Sequence, residues 1–140
     1  MGTPMGFLVL SVWLSTAILG GHLFTVWLRH GGLQQRRAGV TRLPLWLVLG
    51  HVALAATGLL AWIAFLLGHA WAMGWAAWAV VLVVASLGFA MLLRWLPTSG
   101  RHAHGDATAE RHFPVTAVVA HGLCATATVL LALLTVLRAA

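Results

Sequence analysis

Four apolar runs, at about residues 5–28, 43–67, 71–96 and 113–137, leave this chain very few ways to fold. Each is as long as the roughly 20 residues needed to cross a bilayer core at helical rise, with some length to spare for tilt. In hydrocarbon every backbone N–H and C=O must be bonded within the protein, so the runs are predicted to be helices. A soluble domain carries about a quarter of its residues charged. This chain is 61% hydrophobic and 7% charged, and its eight basic residues are all arginine. The predicted fold class is all-α: a four-transmembrane-helix bundle in which residues 1–140 make a single integral membrane domain with the lipid bilayer as its solvent.

The charges sit between the spans. Residues 29–42 hold Arg29, Arg36, Arg37 and Arg42, and residues 94–112 hold Arg94, Arg101 and Arg111 with both acids, Asp106 and Glu110. The link Gly68-His69-Ala70 carries no formal charge. Positive loops stay in the cytoplasm, which predicts a multi-pass protein of a bacterial inner membrane with both termini outward. The net charge of +6 is therefore a topology signal and not a nucleic-acid footprint. Trp27, Trp46 and Trp95 flank the basic loops and Trp71 and Trp75 the short link, as expected of interfacial belts. Trp13, Trp62 and Trp78 lie deeper and are expected between helices. Pro44 and Pro114 open the second and fourth spans, where a missing N–H costs nothing, and Thr41 is the expected N-cap of the second. Thr98 to Glu110 reads as the most flexible segment. The first run has no basic residue before it and no small-x-small cleavage pattern, so it reads as a retained helix. The single cysteine, Cys124, has no partner within the chain for a disulfide.

Two stretches repeat. Arg42-Leu43-Pro44 leads through an apolar run to Gly50-His51 and Ala55, and His112-Phe113-Pro114 leads to His121-Gly122 and Ala125. In each, a proline lies seven residues before the histidine and an alanine four after it, and the copies are 70 positions apart. Trp27 and Trp95 match at an offset of 68. The pattern reads as a tandem duplication of a two-helix hairpin, with the halves related by a pseudo-twofold axis along the membrane normal.

Seven residues of helix place His51 and His121 roughly 10 Å in from the basic side. His22 lies seven residues before Arg29 and reaches a similar depth from the same face, so three histidines are expected in one layer, with Met91 near it. Ala55 and Gly58 follow His51, and Ala125 and Thr128 follow His121, leaving room beside the rings or letting helices close up. Ionisable residues inside a membrane are costly and mark function more often than chance. Two neutral imidazoles at equal depth on the diagonal second and fourth helices suit axial ligation of a haem iron. Its propionates would point to the basic side, where Arg29, Arg42, Arg94 and Arg111 lie.

The segments Gly50-His51-x3-Ala55-x2-Gly58 and His121-Gly122-x2-Ala125 resemble small four-helix b-type cytochromes and bis-histidine membrane anchors. They also resemble membrane proteins of high-GC bacteria with paired His-Gly-x-x-Ala segments. The likeness covers the second and fourth spans. It implies one haem b, His51 and His121 as its axial ligands, and electron transfer with other membrane redox subunits or a quinone. No Cys-x-x-Cys-His is present for covalent attachment.

Other readings stay open. A cofactor-free structural or assembly subunit, a homo-oligomer included, would use the histidines only to hold helices together. A copper or zinc protein would draw on His22, His51 and His121 with Cys124 and Met91. A proton or electron relay would use the same three histidines. His30 and His112 read as interfacial, His69 as a site exposed to a quinone or partner, and His102 and His104 as a solvated loop pair. With two carboxylates in the chain, hydrolysis and phosphoryl transfer have almost no residues to run on.

Overall fold

A computed structural model describes residues 4–39, 41–68, 70–96 and 108–139. Helix α1 spans Pro4–Arg29, α2 Gly32–Arg37, α3 Leu45–Gly68, α4 Trp71–Trp95 and α5 Val115–Ala139, with a 3-10 turn at Ala109–His112 before α5. Four of these, α1, α3, α4 and α5, are long and apolar enough to cross a membrane. There is no strand among the described residues. The chain is a four-helix membrane bundle.

The helices alternate in direction, and α3 lies mainly on α4 while α5 lies mainly on α1. Lighter contacts join α4 to α5 and α1 to α3. The order around the bundle is therefore α1, α3, α4, α5, which leaves α3 and α5 on a diagonal as expected. Both prolines act alike: the Pro44 carbonyl accepts from the Val48 N–H and the Pro114 carbonyl from the Val118 N–H, each starting a helix.

The duplication is clearest in what is buried. On α1 the buried positions include Gly6, Val9 and Trp13, and on α4 Gly74, Ala77 and Val81, each 68 later. On α3 they include Gly58, Trp62, Phe65 and Leu66, and on α5 Thr128, Ala132, Thr135 and Val136, each 70 later. Only the first pair, Gly6 and Gly74, keeps its residue type. A helix position is buried because of where its face points, so the two halves match in geometry more than in side chains.

Two apolar clusters fill the interior. The larger holds Val9, Trp13, Trp62, Phe65, Leu66, Ala77, Val81, Ala132 and Val136 in the half near the termini. Trp13 and Trp62 lie 6.3 Å apart there, and the Trp62 indole N–H donates to the Gly6 carbonyl at 3.2 Å. Without that acceptor a fully buried donor would cost about 1–3 kcal/mol. The smaller cluster, at the end bearing the basic loops, holds Trp27, Leu43, Val48 and Ala109, with Phe24, Leu45, Met91 and Phe113 against it.

Several expectations change at that end. Thr41 does not cap α3, which begins four residues later at Leu45. Its hydroxyl instead donates to the Glu110 carboxylate at 3.1 Å, and the Arg42 backbone N–H donates to the same oxygen at 2.6 Å. Glu110 is 2% exposed, and its own carbonyl accepts from the Trp95 indole at 2.9 Å. The segment expected to be flexible thus ends in a buried knot, because a carboxylate removed from water must gather donors. Residues 98–107 of that segment, with Arg101, His102, His104 and Asp106, lie outside the described residues, as does His69. The preceding linker is partly helical, at α2. Trp27 is not a belt residue: it is 1% exposed, and a Cβ on Gly32 would overlap its indole. Trp46 and Trp71 do face outward, at 67% and 50% exposure.

Candidate functional site

His51 of α3 and His121 of α5 turn into the bundle between the two apolar clusters. Their ring centres are 6.2 Å apart with planes at 60°. Neither ring faces lipid; both residues are half-buried.

Each ring is held the same way by the helix it packs on. His51 Nδ1 lies 3.0 Å from the Val84 carbonyl of α4. His121 Nδ1 lies 3.0 Å from the Thr16 carbonyl of α1. A carbonyl oxygen only accepts, so in both neutral rings Nδ1 carries the proton and Nε2 is left as a lone pair. Among the described residues no donor meets either Nε2.

Reaching a carbonyl already engaged in a helix requires a close approach, and one residue type permits it. A Cβ on Gly20, four residues after Thr16, would stand 2.9 Å from His121 Cε1. A Cβ on Gly88, four residues after Val84, would stand 3.1 Å from His51 Cε1. The two supports are again 68 positions apart. Each hairpin therefore supplies one histidine and the seat for the other hairpin's histidine. This reciprocity is what a twofold arrangement of equal halves produces.

The small residues named from sequence divide differently. Gly50 and Gly122, beside the histidines, face open space. The room at Gly58 is taken by Trp13 and Val80, each 3.1 Å from where its Cβ would stand. Thr128 donates to the Cys124 carbonyl at 2.8 Å and lies 3.4 Å from the Thr16 hydroxyl. Gly20 and Gly88 were not singled out from sequence. The offset of 68 already visible at Trp27 and Trp95 could have found them.

The third histidine does not join the pair. His22 is exposed on the outer face of α1, and no group of three or more His, Cys, Asp or Glu side chains forms among the described residues. Met91 belongs to the basic-end cluster, and Cys124 is a half-buried free thiol. Arg29, Arg42, Arg94 and Arg111 are exposed, and the ends of their helices place them on the side of the bundle that carries the long linkers. His30 and His112 stack at that end with centres 3.9 Å apart and planes at 13°.

No protein-family model, curated protein or solved structure matches this chain.

Proposed function

We propose that His51 and His121 would hold one haem b and that the protein carries electrons within the membrane. The observation that carries this reading is the shared tautomer. Histidines that bind a metal commonly give their other N–H to a backbone carbonyl or carboxylate, which fixes the ring and raises its basicity. Both rings here meet that requirement on separate helices.

When bound, the iron supplies reversible one-electron transfer, with a potential set by its ligands and surroundings. The chain does the rest. Val84 and Thr16 hold each imidazole by Nδ1 and leave Nε2 to ligate. The tryptophan-rich cluster near the termini closes one side of the layer against water, and the Trp27 cluster closes the other. Arg42 and Arg111, with Arg29 and Arg94, put positive charge on the end where acidic substituents would be met. The orientation that goes with this reading has the arginine-rich end in the cytoplasm of a bacterial inner membrane. A reporter after Ala140 should then behave as periplasmic, and one within residues 100–108 as cytoplasmic.

A second reading has its own support: each imidazole already joins α3 to α4 or α5 to α1 by a hydrogen bond, so the pair can serve as two staples in a cofactor-free subunit. Haem content separates the two. Protein purified from cells supplied with a haem precursor is expected to hold one haem per chain, and folded protein without haem would leave the staples as the function.

A further inference from the structure

Helix α1 carries a polar seam on its outer face. Leu8, Ser11, Ser15, Ile18, His22 and Thr25 follow one another at steps of three and four, and every one of them is exposed. That spacing is the repeat of a left-handed helix pair. The hydroxyls on it are satisfied locally: Ser11 donates to the Phe7 carbonyl at 3.0 Å, Ser15 to Ser11 at 3.0 Å and Thr25 to Gly21 at 2.8 Å. His22 is different. Two residues from Gly20, it is level with the buried pair to within about 3 Å of helical rise, and no hydrogen bond to its ring is found among the described residues.

The duplicated helix is an internal control. The positions of α4 that lie 68 later are Ala76, Ala79, Val83, Ser86, Ala90 and Leu93. One is polar, and it too bonds back to its own helix, Ser86 donating to the Leu82 carbonyl at 2.9 Å. The two helices bury matching positions in the half near the termini, yet of the two only α1 holds an imidazole out toward hydrocarbon. The fold therefore does not require the polar seam, and an ionisable residue left facing lipid marks a missing neighbour.

We infer that this neighbour is a second copy of the chain, packed α1 against α1 about a twofold axis along the membrane normal, with the two His22 rings meeting across it. Copies inserted in one direction bring like positions together at equal depth. A neutral imidazole has one donor and one acceptor, so it pairs with its own kind. Serines at positions 11 and 15 let the backbones close in above that pair. The surface is independent of the haem reading, since His22 touches neither His51 nor His121.

Cysteine cross-linking in membranes containing the full-length protein tests it. In a Cys124→Ala background, single cysteines at Ser11, Ser15 and Ile18 are expected to give an adduct of twice the chain mass on oxidation. Cysteines at Ala17, exposed on α1 away from the seam, and at Val83, the α4 counterpart of Ser15, should give at least tenfold less. His22→Leu should lower the dimer fraction in mild detergent at least fivefold. Absence of the adduct at all three seam positions, equal adducts at Ala17 and Val83, or an adduct of another mass would overturn the assignment. An unchanged dimer fraction in His22→Leu would overturn the imidazole pairing.

Discussion

Near the termini the two hairpins bury matching positions, mostly with different side chains. In the first, Trp13 and Trp62 fill the core near the termini; the matching positions of the second hold Val81 and Ala132. Bulk in one half is offset by smallness in the other, as a close-packed interior demands. At the histidine layer one matched set recurs. There both halves keep an imidazole on one helix and a glycine on the other, in a reciprocal arrangement. Packing alone tolerates exchange of Trp for Val or Ala when the opposite half compensates.

If the halves contribute equally, damaging either should have the same effect. The largest effect is expected from His51→Ala and His121→Ala. On the haem proposal each should abolish the expected low-spin spectrum or convert it to high spin, and a spectrum lost with one substitution but kept with the other would break the equivalence. His22→Ala should leave the spectrum in place, which optical titration with haem can check.

The next effect separates the knot at Glu110 from its counterpart. The position 70 earlier is Val40, so the first hairpin has no such carboxylate. Hydrogen bonds to a charged group contribute about 1.5–3 kcal/mol each. Glu110→Ala is expected to lower stability by about 3–6 kcal/mol in reversible denaturation in micelles, with the bonds to Thr41 and Arg42 lost together. A loss below about 0.5 kcal/mol would show that the knot does not hold the linkers.

Substitutions of the glycines sharpen the comparison further. A Cβ at Gly20 or Gly88 presses on the ring of a buried histidine, and overpacking a tight site costs about 1–3 kcal/mol. Gly20→Ala should disturb His121 and Gly88→Ala should disturb His51 to a similar degree, seen as matching falls in thermal midpoint. Gly50→Ala and Gly122→Ala meet open space and should be neutral or stabilise by up to about 1 kcal/mol, since glycine within a helix is itself unfavourable.

The architecture was legible because length and apolarity decide it almost alone in a bilayer. Both prolines and both histidines were legible because the repeat aligned them. What the sequence hid depended on which way each face turned. The motif glycines at Gly50 and Gly122 drew attention by standing next to histidines, yet along a helix an adjacent residue points about 100° away. The glycines that matter lie on partner helices. His22 shares the depth of the pair but not its direction. Glu110 looked like a loop charge until Thr41, Arg42 and Trp95 were seen around it.

In the proposed site two equivalent imidazoles, each fixed through Nδ1, would present Nε2 to one iron. The reduced-minus-oxidised absorption spectrum of the full-length protein, purified in mild detergent after expression with ample haem supply, tests it most directly. A low-spin bis-histidine b-type spectrum at one haem per chain is the predicted result. A folded protein with no visible absorption under those conditions would contradict it.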